Sequence, residues 1–115
     1  MRKIAIFAFD GELMCFAHAL LNAIDLHEKG HDVKLIIEGS ATKLIEDFQK
    51  PETPFYELFN KCVNSGILDA ICKGCAAKMN TLKICEEKGY PIDGSMSGHP
   101  PMEKYIASAY EIITL

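Results

Sequence analysis

None of the apolar runs in this sequence is long enough to cross a bilayer. The longest, such as Ile4 to Phe9, fall far short of the ~20 residues a spanning helix requires, so no membrane association is expected. Positive charge is in deficit too. Twelve Lys and Arg stand against sixteen Asp and Glu, a formal net charge of −4. With no basic face to meet phosphates, nucleic acid is not expected as a direct partner. Neither a Gly-x-Gly-x-x-Gly pattern nor a phosphate-binding loop occurs, which leaves a nucleotide enzyme without support. Internal repeats and low-complexity segments are absent as well. Met1-Arg2-Lys3 starts like a signal peptide, but Asp10, Gly11 and Glu12 follow the apolar run at once, without a small-residue cleavage site. The five cysteines are odd in number and unevenly spaced, which fits reduced thiols better than a secreted disulfide framework. A cytoplasmic location is therefore expected.

What is present is one domain over residues 1–115, 49% apolar and 24% charged, long enough for a real core and too short for two. Strand and helix patterns alternate throughout. Lys3 to Phe9 reads as a strand covered on both faces. Asp10 is positioned to cap the following helix, whose apolar stripe is Leu13, Phe16, Ala17, Leu20, Leu21 and Ile24, and Gly30 ends it. Asp32 to Glu38 is the second strand, Gly39-Ser40 the turn into a helix that Pro51 terminates. Thr53-Pro54 is read as a new helix start, carried by Phe55, Leu58, Phe59, Cys62 and Val63 to Gly66. Ile67 to Cys72 is strand three, and Gly74 to Lys88 a helix closed by Gly89. A short strand within Tyr90 to Ser95, a Gly/Ser/Pro-rich loop from Gly94 to Pro101, a helix from Met102 to Ser108 and a strand from Tyr110 to Leu115 complete the chain. This order predicts an α/β three-layer sandwich around a mostly parallel five-stranded sheet, the flavodoxin-like order 2-1-3-4-5 being the simplest.

Chemistry collects at the carboxyl ends of such strands, at the switch in strand order. On the order 2-1-3-4-5, Asp10 and Gly11 would there face Cys72, Lys73, Gly74 and Cys75. Cys72 is expected at the end of its strand, where helix-opening amides and Lys73 would favour a thiolate, with Gly74 keeping the turn open to another molecule's sulfur. Three specific readings of the pair compete with plain core packing. Structural zinc wants four ligands; there is one Cys-x-x-Cys pair, Cys85 lies about 15 Å further along the same predicted helix, and no fourth ligand is evident, so no metal is expected. A thioredoxin-like dithiol would place the pair after the first strand rather than the third, with a facing proline that is not evident. A single reactive thiolate is the third. His99, on the 94–101 loop, is the candidate neighbour of Cys72. Cys15, three residues before His18 on one helix face, is read with Cys62 and Cys85 as a packing residue.

The opening "KIAIFAF", the stretch "ILDAICKGCAAKM" and the ending "YEIITL", with the size and element order, resemble the DsrE-like family of sulfur-handling proteins, which includes the DsrE/DsrF/DsrH and TusBCD sulfur-relay subunits. Family members carry a cysteine where the third strand meets its helix, followed by small residues; Cys72 and Ala76-Ala77 match. The resemblance implies a trimer or hexamer that carries sulfur as a persulfide on Cys72, passes it between donor and acceptor proteins and needs no cofactor. Cys75 and Lys78-Met79-Asn80 depart from the relay pattern of one cysteine followed by Arg-Gly. Attack of Cys75 on the Cys72 persulfide would release sulfide and leave a disulfide, making the protein dependent on a reductant. The alternative from a different class is a non-catalytic oligomeric binding module in which Cys72 and Cys75 only pack or hold a metal weakly.

Overall fold

In a computed structural model describing residues 1–115, β1 (Lys3–Ala8) lies inside the sheet, buried on both faces as its unbroken apolar run requires. It pairs in parallel with β2 (Asp32–Ile37) on one side and β5 (Glu111–Thr114) on the other. β3 (Leu68–Cys72) joins β2, and β4, only Ile92–Asp93, joins β3. All five strands are parallel, in the order β4-β3-β2-β1-β5. The α/β class and five-stranded sheet are as the sequence predicts; the order 2-1-3-4-5 is not. Right-handed crossovers permit both orders, and strand–helix alternation does not state in which direction each crossover steps. Here the first three step the same way, so β2 separates β1 from β3 and the switch falls between β1 and β5.

That winding distributes the helices unequally. Crossovers of one hand stepping in one direction set their helices on one face of the sheet. α1 (Leu13–Glu28), α2 (Leu44–Asp47), α3 (Tyr56–Asn64), α4 (Lys73–Lys78) and α5 (Leu82–Lys88) all contribute to the larger core, with Phe16, Leu20, Ile45, Phe59, Ala76 and Cys85 against Ile6, Leu35 and Ile71. Within it Phe48 and Phe59 stack at 4.7 Å, and Tyr90 meets Phe59 edge-on. The return crossover carries α6 (Met102–Ala107) over the opposite face, where Tyr105 covers Ala5, Phe7, Ile36 and Ala70. Its hydroxyl donates to Asp69 at 2.6 Å. No helix is long and apolar enough to cross a membrane.

Three local expectations change. The cap of α1 is Glu12, whose carboxylate accepts from the Met14 and Cys15 amides, while Asp10 accepts from the Glu12 amide in a turn before it. Thr53 does not cap α3; its hydroxyl donates to the Asp47 carbonyl at 2.6 Å, and Phe55, in the left-handed region at φ 68°, precedes the helix. The helix expected over 74–88 is two. Asn80, at φ 61°, breaks it, and the buried Thr81 donates from its backbone to Ala76 and from its hydroxyl to Thr42 on the neighbouring crossover.

Candidate functional site

β3 ends at Cys72 and α4 begins at Lys73, so the first cysteine takes the capping position and its sulfur accepts from the Cys75 amide at 3.3 Å. This geometry turns the second cysteine back over the first, and the two sulfurs lie 2.9 Å apart as free thiols. The segment 94–99 comes down on them. Met96 and His99 exchange both backbone hydrogen bonds around Ser97 and Gly98, whose φ values of 49° and 95° are those of a tight type I′ turn. The Gly74 amide then donates to the Gly98 carbonyl at 2.7 Å. His99 is thereby held with Nδ1 3.0 Å from Cys72 Sγ and 3.7 Å from Cys75 Sγ. The fourth member comes from the strand on the other side of β3 from β4: Glu38, immediately after β2 and only 8% exposed, sets Oε1 3.8 Å from Cys75 Sγ and 3.9 Å from His99 Nδ1.

The site therefore gathers Cys72, Cys75 and His99 as the sequence proposes, and adds Glu38, which it does not. A signal for Glu38 was present: a carboxylate closing an apolar strand just before Gly39-Ser40, at the end of the sheet where function collects. It also supplies the fourth ligating side chain whose apparent absence argued against a metal. Other expected members are placed elsewhere. Asp10 caps a turn, as described above. Gly11 is buried and structural: a Cβ there would lie 2.5 Å from the Ser40 carbonyl oxygen. Lys73 runs its stem over Gly94 and is not among the groups acting on Cys72. Gly74 makes room for the chain's own loop rather than for another molecule's sulfur, since a Cβ would stand 3.0 Å from Gly98 O.

The electrostatics of Cys72 also differ from expectation. Burial pushes its thiol well above the ordinary range; the hydrogen bond to Cys75 and the Glu38 carboxylate act in the same direction, and only the Cys75 amide opposes them. Cys72 is fully buried, whereas Cys75 is partly exposed and lines an open cavity of about 390 Å³ with Gly39, Ser40, Lys78, Met79 and His99. The accessible sulfur is Cys75. Of the other thiols, Cys62 and Cys85 are buried as expected, but Cys15 is exposed beside Glu12, whose carboxylate pushes its pKa to about 11.

No protein-family model matches the chain. Over 98 residues, 85% of this chain and 78% of the relative, the sequence is 32% identical to an uncharacterized protein of Methanocaldococcus jannaschii. The chain belongs to that protein's family. An uncharacterized protein of Archaeoglobus fulgidus is 51% identical over 41 residues, 36% of this chain and 67% of the relative. Neither relative's name assigns the family a chemistry, so the functional argument rests on the cluster at the ends of β2 and β3.

Proposed function

We propose that the protein is a sulfane-sulfur carrier whose accepting group is Cys75 and whose second thiol is Cys72. The observation that carries this reading is the pairing of an accessible sulfur and a buried one at 2.9 Å beside an open cavity. The Cys75 thiolate attacks the outer sulfur of a donor persulfide; a new S–S bond forms on Cys75, the donor's S–S bond breaks, and the donor leaves as a thiolate. Lys78 at the cavity provides positive charge for the persulfide anion, and His99 Nδ1 lies within reach of both sulfurs to take or return a proton. Transfer to an acceptor thiol repeats the exchange. Attack by Cys72 on the inner sulfur instead joins Cys72 to Cys75 and expels hydrosulfide, leaving a disulfide for an external thiol to reduce. This reverses the roles drawn from the sequence, because burial removes Cys72 from first contact. The resemblance to DsrE-like carriers supports the same chemistry, and reduced thiols suit a cytoplasmic location.

Mass spectrometry after exposure to a persulfide donor tests the reading. One sulfur atom should be found on the peptide containing Cys75; Cys75→Ser should abolish it, and Cys72→Ser should retain it while ending hydrosulfide release. Unloaded wild-type protein would refute it, and a Cys72–Cys75 disulfide formed by oxidants alone would favour a dithiol redox role. We also take the carrier to be a homo-oligomer, trimer or hexamer. α3 commits Phe59 and Cys62 to the core, but Met14 and Leu21 on α1 stay 62% and 47% exposed. Sedimentation at micromolar concentration should show more than the monomer mass.

A further inference from the structure

The sulfur reading leaves Glu38 without a role, and its environment is unusual. It is a buried carboxylate, no lysine or arginine pairs with it, and its polar side-chain neighbours are a thiol and an imidazole. A buried carboxylate is costly unless a cation or several hydrogen-bond donors meet it. The four candidate ligand atoms, one each from Glu38, Cys72, Cys75 and His99, all lie within 4.8 Å of one another. With metal–sulfur bonds of about 2.3 Å and metal–nitrogen or –oxygen bonds of about 2.0 Å, a tetrahedral zinc site has edges of about 3.3 to 3.8 Å. Cys75 Sγ to His99 Nδ1, Cys75 Sγ to Glu38 Oε1 and His99 Nδ1 to Glu38 Oε1 measure 3.7, 3.8 and 3.9 Å. To admit an ion, the contacts of Cys72 Sγ with Cys75 Sγ and His99 Nδ1, at 2.9 and 3.0 Å, must open, each by less than about 1 Å. Glu38 must also swing in to shorten its 3.9 Å edge to His99 by about 0.6 Å, its edge to Cys72 lying within 4.8 Å.

We propose that Glu38, Cys72, Cys75 and His99 form a four-ligand site for a thiophilic divalent cation of the zinc class. Two thiolates and an imidazole select such an ion over Mg²⁺ or Ca²⁺, which want oxygen ligands. Binding displaces two protons, one from each thiol, and joins the ends of β2 and β3 to the 94–101 loop. The bound ion carries two positive charges against three on the ligands. The remaining negative charge lies where the Cys75 amide donates to Cys72 Sγ and where His99 opens to solvent. Both thiols are masked in this form. The proposal does not depend on sulfur transfer.

The test is a titration of the reduced, chelator-treated full chain with Co²⁺, followed by thiolate-to-metal charge-transfer absorption, with Zn²⁺ as competitor. One equivalent should saturate the signal, and one equivalent of Zn²⁺ should erase it and protect Cys75 from alkylation. Cys72→Ser and Cys75→Ser should each lose the charge-transfer band or weaken it by half. Glu38→Gln and His99→Ala should lower affinity by at least about 10- to 100-fold, and Cys15→Ser should bind as the wild type does. Circular dichroism checks the fold of each variant; His99→Ala, on an exposed loop residue, keeps the test usable if a buried variant fails to fold. Absence of a saturable signal, or equal affinity in Glu38→Gln and His99→Ala, overturns the four-ligand site. Persulfide loading, measured separately on metal-free protein, can fail while metal binding succeeds, and the reverse.

Discussion

Alanine at position 11 separates a structural glycine from a binding one. The Gly11 amide donates to Ser40 Oγ at 3.0 Å, and an added Cβ would stand 2.5 Å from the Ser40 carbonyl oxygen and 2.8 Å from its carbon. Real Cβ atoms essentially never come within 3.0 Å of such groups, so the Ser40 peptide must retreat by at least half an ångström. Overpacking of this kind costs about 1–3 kcal/mol, and loss of the hydrogen bond adds about 1 kcal/mol. Reduced freedom of the unfolded chain offsets about 0.4–1 kcal/mol. The net expectation is a destabilisation of about 1–3.5 kcal/mol, which lowers the thermal midpoint by at least about 4 °C. Urea denaturation at constant m-value and a thermal scan measure it. Gly11→Ala should still load sulfur below its midpoint, because neither Gly11 nor the Ser40 peptide belongs to the Glu38–Cys72–Cys75–His99 cluster; Ser40 lines the Cys75 cavity, so a modest change of rate is expected with the loading itself intact. Unchanged stability with lost loading would refute the structural assignment and return Gly11 to the site.

Other outcomes follow from individual contacts. Cys75 should be alkylated before Cys15 near neutral pH despite the greater exposure of Cys15, because Glu12 holds the Cys15 thiol at about 11; Glu12→Gln should accelerate Cys15 selectively, read by peptide mapping. Phe59→Ala, which removes a ring stacked on Phe48, should cost about 3–5 kcal/mol in urea denaturation. The Tyr110 pKa is raised to about 12 by desolvation and by donation to Asp32 at 2.7 Å. A raised folded-state pKa gives stability that is complete below the unfolded value of about 10 and is lost as pH rises toward the folded one. Denaturation midpoints should therefore fall between about pH 10 and 12, and Tyr110→Phe should shallow that fall.

The parallel sheet was legible because β1 and β2 are apolar on consecutive positions and the intervening helix carries an amphipathic stripe. Cys72 at a strand end, Cys75 in the next turn and His99 on a loop at the same sheet end were legible for the same reason: all three follow from element order. Strand order was not, since the direction of a crossover leaves no mark on periodicity, and the expected place of Asp10 and Gly11 in the site failed with it. Glu38 was missed because it became a neighbour of the thiols only when β2 was set beside β3. The break at Asn80 was written in the chain, as an asparagine able to take φ > 0 followed by a threonine, but Gly89 offers the more evident helix end and the pattern reads as one helix through to it. The burial of Cys72 depends on Gly74 and Gly98 bringing a distant loop into contact, which no local pattern reports.

β4 pairs through only two residues, and the segment that carries His99 is anchored mainly by the single bond from Gly74 to Gly98. Backbone protection against hydrogen exchange is graded by the free energy of the smallest opening that exposes each amide. The amides of Gly74, Gly98 and His99 should therefore exchange through a sub-global opening, well ahead of those in β1 and β2. That opening uncovers Cys72 while the rest of the sheet stays folded. The buried sulfur thus has a reactivity set by a local equilibrium, and a ligand bridging Glu38 and His99 would slow exchange at those amides without protecting the core any further.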